Sequence, residues 1–178
     1  PNGGPSMSEW NAAGIRFMPM TWGEQGLASA RTDGLPGGMT ALLGFNEPNF
    51  REQANMSPEE AAELWPRVQQ IAAKAGISKI VSPAMGLSQT NDPVRWLQRF
   101  FALCSSCKVD AIAIHLYVCY GRWLKLKLDA FRRFKKPIWI TEMACSDAGS
   151  RERLPVDGQI AYLDEAVPVL EHDPDVEM

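Results

Sequence analysis

The chain has 178 residues, 46% hydrophobic and 22% charged, with a formal net charge of −3. That length suits one domain, and ordinary apolar content with small net charge excludes disorder, while 14 Gly and 13 Pro without a period exclude a collagen-like chain. No stretch reaches the ~20 apolar residues of a membrane helix, the first twenty residues lack the pattern of a secretory leader, and no basic block points to nucleic acid.

Taken in chain order, apolar runs alternate with helical patterns. Arg16 to Trp22 and Ala41 to Glu47 read as strands, the second closed by Pro48. Ser57-Pro58-Glu59-Glu60 opens a helix: Ser57 caps free N–H groups, Pro58 fits the first position and Glu60 completes a capping box. Its stripe includes Ala61, Leu64, Trp65, Val68 and Ile71; Gly76 ends it, and Pro66 predicts a kink within it. Lys79 to Met85 reads as a strand, and Asn91-Asp92-Pro93 opens a helix with Val94, Leu97, Phe100 and Phe101 as its stripe. Ala111 to Tyr117 is a strand, Gly121 to Phe134 a helix with a basic solvated face, and Pro137 to Met143 a strand. Val156 to Leu170 reads as a helix that buries Ile160, Leu163, Val167 and Leu170. Such alternation means βα units on a parallel sheet. A closed (β/α)8 barrel of TIM-barrel type and an open doubly wound sheet share this signal; with no GxGxxG and no GxxxxGK[ST], the usual phosphate-binding reasons for the open sheet are absent.

In such barrels the chemistry sits at the C-terminal ends of the strands. Those ends carry Trp22, Asn46, Glu47, His115, Tyr117 and Glu142. Side chains alternate along a strand, so Ala111, Ala113, His115 and Tyr117 share one face. By the same rule Leu43, Phe45 and Glu47 share a face, as do Ile138, Ile140 and Glu142, which aims both glutamates inward. Pro48 predicts an extended backbone at Glu47. A carboxylate ending an apolar run needs solvent or a partner, and a lone glutamate there fits a cap or surface ion pair. Two such glutamates fit glycoside hydrolysis, in which one carboxyl protonates the leaving oxygen and the other attacks or activates water. His115 fits either a hydrogen-bonded core histidine or a rim residue holding a carboxylate or sugar hydroxyl. Tyr117 is expected to orient Glu142, Asn46 to contact a sugar 2-hydroxyl or act as a turn residue, and Trp22 to pack or to carry a sugar ring. Trp65, Trp96 and Trp139 read as packing residues.

Cys104, Cys107, Cys119 and Cys145 lack the second CxxC or paired histidines of a zinc site, so no metal is expected. Four cysteines allow three connectivities. Cys119 and Cys145 follow neighbouring strands and are the first pairing to test, leaving Cys104 with Cys107; four reduced thiols stay open.

The ordered set GFNEP (44–48), QANMSPEEAAELWP (53–66), CSSCKVDAIAIHLYVC (104–119) and KPIWITEMAC (136–145) resembles glycoside hydrolase family 128, the glycosyl hydrolase catalytic core proteins that include alkali-sensitive-linkage cell-wall proteins. The resemblance implies a retaining endo-β-1,3-glucanase on a (β/α)8 barrel, with Glu47 as acid/base and Glu142 as nucleophile. It places Asn46, His115, Tyr117 and Trp22 around the substrate. It implies no cofactor, a β-glucan partner, a monomer and an extracellular or cell-wall location. Leu116 and Met143 stand where the family usually has aromatics. One catalytic domain over 1–178 is expected, truncated at both ends, because only five of eight strands are found. Other readings are a β-glucan-binding cell-wall protein with little or no turnover, or a β-1,4-glycanase or mannanase of the same clan.

Overall fold

The computed structural model describes residues 7–29, 39–87, 92–146 and 154–178. The elements are α1 (Met7–Ala12), β1 (Met20–Trp22), α2 (Glu24–Ser29), β2 (Ala41–Phe45), α3 (Pro58–Lys74), β3 (Lys79–Ile80), α4 (Pro93–Leu103), β4 (Ile112–Leu116), α5 (Gly121–Phe131) with a 3-10 turn at Arg132–Phe134, β5 (Ile138–Met143) and α6 (Val156–Glu171). Among the described residues no helix is long and apolar enough to cross a membrane.

The strands run parallel in chain order. β1 pairs with β2, β2 with β3 and β4 with β5. Beyond Ile80 the chain bridges β2 to β4: Val81 stands opposite Ala111 and Met85 opposite Ile114. The expected strand Lys79 to Met85 is interrupted at Ser82-Pro83. Pro83 has no N–H for a ladder, and the Ser82 hydroxyl instead accepts the Ala113 N–H at 2.9 Å while donating to the Pro83 carbonyl at 2.8 Å. Past β5, Ile138 pairs with Val176, and the Ile140 N–H donates to the Met178 carbonyl at 2.7 Å. The described residues therefore form an arc of five parallel strands plus one edge segment, where a closed barrel has eight.

Helices pack on the convex side of this arc. α3 opens with the capping box: the Glu60 N–H donates to Ser57 Oγ, and the Ser57 N–H donates to Glu60 Oε2 at 2.7 Å. It runs unbroken through Pro66. Asp92 caps α4 through the Arg95 N–H; Asn91 lies outside the described residues. Trp65 is fully buried, edge-on to Phe45 at 5.7 Å and to Phe100 at 5.1 Å, and it donates its indole N–H to the Lys108 carbonyl. Truncating such a side chain costs about 3–5 kcal/mol. Trp96 stacks on Phe100 and donates to the Met56 carbonyl. A second, smaller core lies on the concave side, built from Ala41, Val81, Ala84, Ala111, Ala113 and Trp139.

Three expectations about faces are corrected. Ile138 and Ile140 pack in the helix-side core with Ile112 and Ile114, whereas Trp139 faces the concave side. Strict alternation would then send Glu142 outward. A bulge intervenes: Ile114 pairs with Ile140 but His115 pairs with Glu142, so Thr141 is an extra residue that returns Glu142 to the concave face. In β2, Leu43 packs against the concave core but Phe45 packs against the helices, so parity also breaks across Gly44. A Cβ on Gly44 would stand 2.8 Å from the Ser82 carbonyl oxygen. In α6 the buried residues are Tyr162 and Ala166, while Ile160, Leu163 and Val167 are exposed. The helix turns this side to α5, where the Gly121 N–H donates to Glu165 Oε2 at 3.0 Å.

Candidate active site

β1 and β2 end side by side, since the Asn46 N–H donates to the Trp22 carbonyl at 2.7 Å. Both strands finish in backbone that bulky residues rarely adopt: φ is +42° at Trp22 and +41° at Glu47. The extended conformation expected at Glu47 is thus not observed. The Glu47 N–H donates to the Ala84 carbonyl at 2.9 Å, and the Glu47 carbonyl accepts the Phe50 N–H at 2.9 Å. Together these tertiary and turn bonds override the preference that Pro48 imposes. Strained backbone of this kind persists where surrounding contacts over-determine it, often at functional sites.

The result places the Glu47 carboxylate, 7% exposed, against His115, which is fully buried. His115 Nδ1 lies 2.8 Å from Glu47 Oε1 and 3.2 Å from Glu142 Oε2. Two carboxylates accept on that side, so Nδ1 carries the proton and donates to both; Nε2 is buried without a partner among the described residues. The three ligating atoms all lie within 4.8 Å of one another. They could hold a metal ion, yet each is already satisfied by its neighbours without one. Tyr117, 41% exposed, donates its hydroxyl to Glu142 Oε2 at 2.5 Å. Its phenol is pushed up to about 12, first by that hydrogen bond, then by burial and the charges of Glu142 and Glu47.

The structure brings Glu47, His115, Tyr117 and Glu142 into one cluster. Asn46 stands at its edge, buried, with Nδ2 donating to Gln53 Oε1 at 3.1 Å. Trp22 lies beside Asn46 and is 47% exposed. Sequence reasoning missed Gln53, Asn49 and Gly86. Asn49 grips Gly86 at both ends: its amide donates to the Gly86 carbonyl at 2.8 Å and its oxygen accepts the Gly86 N–H at 3.2 Å. A Cβ on Gly86 would stand 2.8 Å from Glu47 Oε1 and collide with the Phe50 ring, so glycine is required there for close approach. The only sequence signal was a glycine just past the Lys79–Met85 run.

The cysteines pair as Cys119–Cys145 and Cys104–Cys107, and no cysteine is free. The first bond ties the loop after β4 to the loop after β5, the two strands that carry His115 and Glu142.

Two carboxylates at the carboxyl ends of parallel strands, bridged by an imidazole and one of them held by a phenol, are the equipment of a glycoside hydrolase. The family described as "Glycosyl hydrolase catalytic core" matches residues 4–178. An endo-β-1,3-glucanase of glycoside hydrolase family 128, subgroup II, from Sorangium cellulosum is 38% identical, covering 99% of this chain and 73% of that one, with a TM-score of 0.86. A subgroup II endo-β-1,3-glucanase from Pseudomonas viridiflava is 35% identical, covering 96% and 70%, with a TM-score of 0.77. A subgroup I enzyme from Amycolatopsis mediterranei, solved with laminaritriose, is 31% identical, covering 93% and 70%, also at 0.77. Alkali-sensitive linkage protein 1 of Schizosaccharomyces pombe is 33% identical over 113 residues, 62% of this chain and 20% of that protein. The chain thus spans about a fifth of that relative's length. The chain belongs to glycoside hydrolase family 128, the glycosyl hydrolase catalytic core family, and is a glycosidase.

Proposed function

We propose that the protein is a retaining endo-β-1,3-glucanase in which Glu142 is the nucleophile and Glu47 the acid/base. The observation that carries this reading is the short gap between the carboxylates: the nearest Glu47 and Glu142 oxygens lie within 4.8 Å, with His115 Nδ1 between them. Retaining enzymes hold the two carboxyl groups about 5–5.5 Å apart, whereas inverting ones leave about 6.5–9.5 Å for a water. Glu142 attacks the anomeric carbon and forms a glycosyl-enzyme bond while Glu47 protonates the departing glucosyl oxygen. Glu47 then takes a proton from water, which displaces Glu142. His115 holds the two carboxylates in register, and Tyr117 aims the Glu142 oxygen. Asn46 and Trp22 contact the sugar. The substrate class rests on the family's solved members, which include endo-β-1,3-glucanases and one bound to laminaritriose.

The same reading assigns the arc to a (β/α)8 barrel. The exposed apolar row Val156, Ile160, Leu163 and Val167 on α6 fits a further helix of such a ring, and the segment around Val176 fits its next strand. Two disulfides favour an oxidising, extracellular or cell-wall setting. The test is reducing-sugar release from laminarin. Wild type should act, and Glu142→Gln and Glu47→Gln should lose at least a hundredfold; equal rates for wild type and Glu142→Gln overturn the proposal.

A further inference from the structure

β4 and β5 stop pairing at Leu116 and Met143. Tyr117 lies one residue past that point. One backbone hydrogen bond continues the contact, from the Ala144 N–H to the Leu116 carbonyl, and it is long at 3.3 Å. The Tyr117 ring is substantially exposed, so packing alone does not fix it. The next covalent tie is the bond between Cys119, two residues beyond Tyr117, and Cys145, three beyond Glu142. Both cysteines are buried, at 0% and 2% exposure. Cys145 is anchored in turn by α6: its N–H donates to Gln159 Oε1 at 3.0 Å, and its carbonyl accepts from Gln159 Nε2 at 2.7 Å.

We propose that the Cys119–Cys145 disulfide is a positioning cross-link that holds the Tyr117 phenol against the Glu142 carboxylate, and so sets the aim of the nucleophile. This rests on Glu142 being the nucleophile. The bond closes a small frame: Tyr117, Val118 and Cys119 on one side, Glu142 to Cys145 on the other, with the phenol–carboxylate hydrogen bond across its open end. Without the bond, the ends of β4 and β5 lose the covalent tie that spans them beyond Leu116 and Met143, and a displacement of about 1 Å at a reacting group is worth about a hundredfold in rate. Cys104–Cys107 spans only three positions just past α4, before β4 begins, and ties down nothing at the site.

The test compares wild type, Cys119→Ala/Cys145→Ala, Tyr117→Phe and the combined triple variant on laminarin. Each is also titrated by phenolate absorbance, with Tyr117 obtained as the difference from the matching Tyr117→Phe protein. Removing the disulfide should lower kcat about 10–100-fold with little change in KM. The Tyr117 phenol, near 12 when held on Glu142, should ionise closer to the ordinary 10. The loss should nearly vanish when Tyr117 is already phenylalanine, because both changes remove one interaction. Cys104→Ala/Cys107→Ala should keep full activity. Should the double variant fail to fold, wild type treated with dithiothreitol carries the same comparison; the disulfide takes two electrons and two protons and the reagent closes to its cyclic disulfide. A folded protein without the Cys119–Cys145 bond that keeps its kcat, or in which Tyr117 titrates as before, overturns the proposal. A wild type inactive on laminarin refutes the glucanase reading, while the Tyr117 titration still decides the cross-link.

Discussion

Replacing Gly86 by alanine should displace the Glu47 carboxylate, the proposed acid/base, without altering it chemically. The added Cβ would stand 2.8 Å from Glu47 Oε1, and it would also meet the Phe50 ring. Ordinary carbon–oxygen contact needs roughly 3.4 Å, so the carboxylate must retreat by about half an ångström or more, with part of that taken up by backbone. It has little room to do so. Glu47 is buried, its backbone is already left-handed, and its oxygen is held 2.8 Å from His115 Nδ1. Overpacking of this size costs about 1–3 kcal/mol of stability. For a misplacement of half to one ångström the rate should fall about 10–100-fold, or about 1.4–2.7 kcal/mol of transition-state stabilisation. The assay is kcat and KM on laminarin beside a thermal melt. The fall should appear in kcat, because the clash falls on the Glu47 carboxylate and the Phe50 ring. Unchanged kcat in folded Gly86→Ala would refute the argument that the missing Cβ is what lets Glu47 sit where it does.

Three further outcomes follow from other parts of the molecule. Trp22→Ala should raise KM for laminari-oligosaccharides about tenfold (~1.4 kcal/mol) with a small change in kcat, measured by steady-state kinetics; an unchanged KM would remove Trp22 from the sugar path. Tyr162 is fully buried with its hydroxyl unpartnered among the described residues, and burial pushes its phenol up to about 12. Tyr162→Phe should therefore stabilise the fold by about 1 kcal/mol, seen as a Tm rise of roughly 2–4 °C, and a lower Tm would show that the hydroxyl has a use. Arg132 binds Asp129, Asp173 and Asp175, joining the turn after α5 to the segment beside β5. Hydrogen bonding to Arg132 holds the Asp173 carboxyl below its ordinary 3.8, so this pair stabilises fully above that value and is lost as pH falls through the lower folded value. Asp173→Asn should cost about 1.5–3 kcal/mol at neutral pH and flatten the acid limb of urea-unfolding stability; an unaltered acid limb would count against the pair.

Much of the site was legible because its residues break the pattern around them. Glu47, His115, Tyr117 and Glu142 each interrupt or end an apolar run, and a polar group there must have a partner or a task. Helix starts were legible for a local reason: the Ser57 box and the Asp92 cap are made within four residues. What could not be read depends on contacts far along the chain. Periodicity assumes unbroken alternation, so it could not see the extra residue at Thr141, and it placed Ile138 and Ile140 on the wrong face while still reaching the right answer for Glu142. The left-handed turn at Glu47 is imposed by Ala84, 37 positions away, against the local preference set by Pro48. In α6 both sides carry apolar residues, so hydropathy alone chose the Ile160 row over the Tyr162 row that packs inward. Gly86 gives no local sign that its missing side chain makes room for Glu47.

The central claim is that Glu47 and Glu142 act as a retaining pair on β-1,3-glucan. The direct measurement is proton NMR of the anomeric region during the first minutes of laminarin hydrolysis, before mutarotation mixes the products. The account predicts that new reducing ends appear first as the β-anomer. The α-anomer appearing first, or no new reducing ends, would contradict it.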